Sequence, residues 1–408
     1  MKKRHCLHTM LTAAVAALLL CTNAWAQGGT CAGMTPGQLS SLNGFVPFPS
    51  SNAWNTDISN ALVDPNSNNI INFIGAGVTL QADFGSGTYR RSTIGIPYQV
   101  VAASQPKINI NIKEYAAESD PNPVPLPFGA LIEGYPSPSG DRHVLVLDKD
   151  SCWLYELYNA TFNKKTSGWS ASSMAIWDML AGSERPYTWT SADAAGLAVF
   201  PGLARVDEVL AGAINHALRF TVPITRRAFV EPASHWASTN TSFNAPPMGT
   251  RMRLRSTFDT NPYPPQARVI LEAMKKYGII LADNGSGIFV SGAPDSRWNN
   301  DDLRTLKNVR ASDFDVVQMG TIYTDSNVPT GAAPVISSFT AHPSSVSRGS
   351  LVTLSWTVTG ASYNHISPVI GPVRGSAVMV APNVSTTYTL TSTGRFGRTT
   401  KQVTVTVF

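Results

Sequence analysis

The chain has 408 residues, 14% of them charged and 43% hydrophobic, with a formal net charge of +5. Lys2, Lys3 and Arg4 belong to an N-terminal leader, and removing these three from +5 leaves about +2 on the remainder. Such a balance, without any Lys/Arg-rich run, excludes a nucleic-acid-binding face and leaves a Gly-, Pro-, Ser-, Thr- and Asn-rich chain of extracellular, β-rich character.

Residues 1–26 read as a secretory signal, with a basic start, an apolar stretch from Leu11 to Leu20 and a cleavage site at Ala24-Trp25-Ala26. The apolar run is too short to span a membrane, and no later stretch approaches the needed length. Leu20 is not the small residue that precedes a lipidated cysteine at Cys21. The expected location is therefore secreted, extracellular or periplasmic. Cys6 and Cys21 leave with the leader, and in an oxidising compartment Cys31 and Cys152 most simply pair.

Residues 27–325 form the expected main domain. Its first clear strand piece is Lys107–Ile112, followed by the most informative segment, a β-hairpin over 141–158. There, pairing Leu147 with Cys152 places Leu145 opposite Leu154 and His143 opposite Glu156. An imidazole and a carboxylate then touch on a face otherwise made of leucine. Val144, Val146, Trp153, Tyr155 and Leu157 fill the other face, so both sides are expected to be buried. A one-residue slip would swap the faces. Further strand pieces are His216–Val222, Arg251–Arg255 and Gly287–Val290. A helix is expected over Pro265–Tyr277, started by Pro264-Pro265 and stopped at Gly278, and a second over Asn300–Val309. Strands and helices do not alternate regularly. The fold class expected is mainly β with an α+β tendency: an antiparallel β-sandwich, or a jelly-roll-like one, with a few packed helices.

A Pro/Gly/Ala linker covers 326–334. Beyond it, 335–408 carries short alternating strands around Trp356 and reads as a second β-sandwich. Through Ser338-Phe339-Thr340-Ala341, Thr353-Leu354-Ser355-Trp356 and Thr386-Thr387-Tyr388-Thr389-Leu390, it closely resembles the bacterial Ig-like modules appended to secreted and surface proteins. That resemblance implies a spacer or a cell-surface or wall attachment module. Glycan binding by the module is the sharper alternative.

The motifs of serine hydrolases, zincins, P-loop proteins and Rossmann enzymes are missing from the sequence, and no cofactor is expected. His143, His216 and His235 are the only histidines of the main domain, too widely spaced to signal a metal site, and no metal is expected either. Carboxylates stand beside aromatics at Trp177-Asp178, Trp189…Asp193 and Asp295…Trp298, the combination a sugar site needs: acids for chemistry, rings for stacking. Taken singly, Asp193 reads as a helix cap and Asp295 as a turn residue. Asp283-Asn284-Gly285 reads first as a hairpin turn. Arg251, Arg253 and Arg255 share one strand face, either solvated or holding an acidic polymer.

The main domain also resembles a group of secreted bacterial proteins. The resemblance lies in "GDRHVLVLD" (140–148), "LYEL" (154–157), "WTSADAAGL" (189–197), "INHALRFTV" (214–222), "PPMGTRMRL" (246–254), "ADNGSG" (282–287) and "SGAPDSRW" (291–298). It implies one domain over most of 45–319 and no particular reaction. The functional expectation is a carbohydrate-active enzyme, a glycoside hydrolase cutting an extracellular polysaccharide or oligosaccharide with paired carboxylates. Glu156 is expected as general acid, with its pKa raised by burial, and Asp141, Asp178 or Asp193 as its partner. His143 completes the catalytic set, and His216, Arg219, His235, Trp189, Trp298 and Arg251 are the expected substrate contacts. The alternatives are a polysaccharide lyase with His143 or His216 as base, and a non-catalytic glycan-binding or surface protein.

Overall fold

The computed structural model describes residues 29–137 and 139–408, so the leader expected over 1–26 lies outside the described residues. The architecture is mainly β. A five-stranded sheet runs in the order Gly37–Gln38, Tyr98–Val101, Val144–Asp148, Trp153–Tyr158, Ser173–Asp178. A six-stranded sheet runs Phe314–Val316, Arg251–Leu254, Ile279–Asn284, Leu218–Val222, Ile288–Ser291, Leu80–Asp83. Both are mixed: Tyr98–Val101 lies parallel to Val144–Asp148, and Leu218–Val222 parallel to Ile279–Asn284. The main domain therefore departs from a purely antiparallel sandwich.

The hairpin is buried on both faces because both are apolar. Leu145, Leu147 and Leu154 join the large core that includes Phe220, Ile279–Ala282 and Val290 of the six-stranded sheet. Val144, Val146, Trp153, Tyr155 and Leu157 join a second core with Ile110, Trp169 and Ala171 of a small three-stranded sheet. The disulfide Cys31–Cys152 ties the N-terminal segment to the hairpin turn. The long helix runs Pro265–Lys276 and presents Ala267, Ile270, Leu271 and Met274 to the large core. It stops at Gly278, whose φ of +73° suits glycine and where a side chain would strike the Met252 carbonyl. The second helix is shorter than expected, Asn300–Arg304 followed by a 3-10 turn; Asn299 caps it by accepting from the Asp301 and Asp302 amides.

The C-terminal module has two sheets around Phe339, Leu354, Trp356, Ile366 and Leu390. It is docked firmly on the main domain. Tyr363 enters the second core against Trp153. Arg374 chelates Asp178 at 2.6 and 2.7 Å, donates to the Ser151 and Cys152 carbonyls and lies over the Trp153 ring. Arg395 packs on Tyr187 and pairs with Glu231, and Arg398 lies over Trp189.

Candidate functional site

The hairpin register differs from the expected one by two residues. Leu145 stands opposite Glu156 and Leu147 opposite Leu154, leaving residues 149–152 as the turn. Asp148 accepts from the Asp150 and Ser151 amides, and Cys152 takes a left-handed φ of 59°, so the turn closes one residue later on each strand. Faces are preserved, but the partners are not. His143 lies near Tyr158 with the two rings tilted, and Glu156 forms no hydrogen bond with it.

Glu156 is wholly enclosed. Its carboxyl accepts from the Trp177 indole nitrogen at 2.9 Å and from the amides of Val199 and Phe200 at 3.0 and 2.8 Å. Burial pushes its pKa up to about 7 against these donors. A group sealed from solvent cannot reach a substrate, so Glu156 is a structural acid that pins the 199–200 segment to the hairpin.

His143 is likewise buried, and its ring lies between two acceptors: Glu133 Oε2 at 2.6 Å from Nδ1 and the Ala192 carbonyl at 2.8 Å from Nε2. Burial opposes ionisation of Glu133, but the His143 charge and hydrogen bonds outweigh it and lower its pKa, so both partners accept and both ring nitrogens carry protons. Burial works against that charge, but Glu133 wins and lifts the pKa to about 9. An imidazolium with both nitrogens engaged has no lone pair to act as a base. His235 Nδ1 bonds the Ala194 carbonyl at 2.8 Å. The two histidines thus grip the backbone on either side of Asp193.

Asp193 is fully enclosed and forms a fork with Arg219, at 2.8 Å from Nε and 2.7 Å from Nη2. Arg219 also donates to Ser291 Oγ at 2.8 Å and reaches Asp283 at 3.2 Å. The sheet explains this convergence. Arg219 and Ser291 sit on adjacent strands, Ser291 pairs with Asp83, and Asp283 is next to last in the strand on the other side. Asp283 keeps 20% of its side chain open to solvent, and Asp83 and Asp141 are exposed. Burial and the Asp193 charge push the Asp283 carboxyl up to about 7, although Arg219 pulls the other way. Asp83 is also raised, by the protein around it and by the charges of Glu133 and Asp141. Arg142, with a left-handed φ of 50°, turns the chain so that Asp141 faces out while His143 faces in.

Sequence reasoning missed Asp83, Glu133 and Ser291, and took Asp283 for a turn residue. Asp283-Asn284-Gly285 is no hairpin: the strand Leu218–Val222 lies between Ile279–Asn284 and Ile288–Ser291. For Asp283 and Ser291 the available signal was a polar residue inside an apolar strand; Asp83 and Glu133 carried none.

Other expected site residues lie elsewhere. Asp178 is consumed by Arg374, and Trp189 is covered by Arg398 and Arg185. His216 is buried against Glu208 and the Ala217 carbonyl. Trp298 is a core residue, packed on Phe84 with its indole bonded to the Ala293 carbonyl. Arg251 donates to the Tyr277 and Thr56 carbonyls, Arg253 to those of Ile58, Ser59 and Ala61, and Arg255 pairs with Asp315, so all three arginines of this face are engaged within the protein. The three histidines are not brought together. Among the described residues, no group of three or more His, Cys, Asp or Glu is arranged to hold a metal ion.

A pocket of about 390 Å³ opens beside Trp54 and Trp177, with Glu184, Arg185 and Glu231 on its wall. Its ionisable groups are committed to protein partners: Arg185 to Asp120, and Glu231 to Tyr187 and Arg395. The Arg219 cluster, with carboxyls open to solvent, is the better candidate for chemistry. Comparison of the chain with protein-family models, curated proteins and solved structures finds no match.

Proposed function

We propose that the protein is a secreted glycoside hydrolase acting on an extracellular polysaccharide, with its catalytic carboxyls at the Arg219 cluster. The observation that carries this reading is the convergence of Asp83, Asp141 and Asp283, from separate chain segments, around Arg219, with Asp283 open to solvent and held near pKa 7. Glycoside hydrolysis needs two carboxyls of opposite protonation. Asp283 supplies the acid: it protonates the glycosidic oxygen as the bond from that oxygen to the anomeric carbon breaks. Asp141, exposed and close enough for its charge to act on Arg219 and Asp283, supplies the carboxylate that assists attack at the anomeric carbon and takes up the proton of the incoming water. Arg219, forked by buried Asp193, holds Asp283 in place, and the grip of His143 and His235 on residues 192 and 194 keeps Asp193 from shifting.

A lyase using His143 or His216 as base loses ground here, because both imidazoles are buried and engaged. The test is an assay of the protein, wild type and Asp283→Asn, on a panel of polysaccharides. New reducing ends that disappear in the variant support hydrolysis at this site. An unsaturated, ultraviolet-absorbing product points to a lyase, and retention without turnover points to a binding protein.

A further inference from the structure

Asp83 leads into a short hairpin, Thr88–Tyr89 paired with Ser92–Thr93, with Arg90 and Arg91 as its two central residues. Two-residue hairpin loops in which both central residues have positive φ favour Asn-Gly, because a side chain at such φ is strained. Here Arg90 has φ 51° and Arg91 φ 72°. An arginine pair therefore occupies positions where local stability would select smaller residues, which is a pattern found where conformation serves function.

The placement is equally specific. The Gly85 amide donates to the Ile94 carbonyl, closing the hairpin base two residues after Asp83. The Ser92 hydroxyl donates to the Gly134 carbonyl, which follows Glu133 directly in the chain. The hairpin thus springs from the strand that ends at Asp83 and is tied to the loop that follows Glu133. Tyr89 is 65% exposed and Tyr135, on the adjoining loop, 56%. Arg90 lies over the Tyr89 ring at 5.2 Å. Among the described residues no hydrogen bond or ion pair joins the Arg90 or Arg91 side chain to a carboxylate or carbonyl.

Exposed tyrosine faces stack on pyranose rings, and unpaired guanidinium forks bind carboxylates and sulfates in two-point fashion. We propose that the Tyr89–Arg90–Arg91 tip is an anion-recognising subsite, so that the substrate is a polysaccharide carrying carboxylate or sulfate groups beside the bond to be cut. This rests on the hydrolase reading for the word substrate; recognition of the anionic glycan stands on the tip alone.

The test is affinity electrophoresis of the full chain through gels containing polygalacturonate, chondroitin sulfate or neutral dextran, at two salt concentrations. Wild type is expected to be retarded by an anionic polymer and not by dextran; polygalacturonate alone assigns the tip to uronates, and retardation by chondroitin sulfate and not polygalacturonate assigns it to sulfates. The double variant Arg90→Asn/Arg91→Gly restores the turn's preferred residues, so its melting temperature should be unchanged or raised. Its apparent affinity for the anionic polymer should fall about tenfold or more, the loss expected for charge-assisted bonds. Undiminished retardation of this variant, or equal retardation of wild type by dextran, overturns the proposal. The two readings fail separately. Arginine-dependent retention without turnover of any polymer leaves the subsite and removes the hydrolase. Turnover of neutral glycan without anionic retention does the reverse.

Discussion

Glu156 and Asp283 carry the same titration signature and opposite meanings. Burial lifts each carboxyl to about 7. Glu156 then meets only fixed donors, the Trp177 indole and two backbone amides, and has no path to solvent. Asp283 meets charges, Arg219 and Asp193, and remains 20% open. A raised pKa therefore reports desolvation, and only the opening decides whether the proton can leave for a substrate.

The severest way to break this contrast is to remove the cation on the open side. Arg219→Met leaves Asp193 as an uncompensated enclosed charge, and stability should fall by about 3–5 kcal/mol, read by chemical denaturation. A loss below 1 kcal/mol would mean that Asp193 escapes to solvent and that the cluster is looser than its distances imply. Next comes Asp283→Asn, which is expected to lower turnover about a hundredfold or more with little change in melting temperature. Unchanged turnover removes Asp283 from the chemistry.

Glu156→Gln should behave in the reverse manner. Every protein contact to this carboxyl is a donor, so the amide group of glutamine would face N–H groups and leave buried donors unpaired. The expected cost is about 1–3 kcal/mol of stability, with activity per folded molecule retained. A variant of wild-type stability and no activity would reverse the assignment of the two acids.

The sequence of the hairpin made its two buried faces legible, because alternation is local. Its register was not, because the Asx-type turn at Asp148 and the left-handed Cys152 shift the pairing by two residues, and only the closed turn reveals that. Arg219 and Asp193 were visible as polar residues within apolar surroundings, yet the fork between them spans 26 positions. Asp283 was hidden by its own neighbours. Asn284 and Gly285 read as a hairpin until a strand from 60 residues earlier is inserted beside it, a long-range event with no local trace. Asp83 and Glu133 sit in ordinary loop-like sequence and gain their surroundings only from packing. The C-terminal module shows the same division: its strands were plain from alternation, but the arginines that clamp it to Asp178 and Trp189 looked like surface charge.

The finest test separates the two regions by pH. Glu156 has its folded pKa raised from about 4.5 to about 7, so its contribution favours folding below 4.5 and is lost as pH climbs through 7. His143 also has its folded pKa raised, from 6.5 to about 9, so the stability it adds is complete below 6.5 and disappears as pH passes through 9. The sealed acid thus acts in the lower window and the histidine that steadies Asp193 in the upper one. Asp283 shares the lower window, since its carboxyl also rises to about 7. Stability measured from pH 4 to 10 should therefore lose only its upper slope in His143→Gln. Its lower slope should flatten in part in Glu156→Gln and in part in Asp283→Asn. If His143→Gln left the decline above pH 6.5 intact, the ring would be neutral in the folded protein. One of its two bonds, to Glu133 or to the Ala192 carbonyl, would then be absent, and loss of the second would leave the grip on Asp193 to His235 alone.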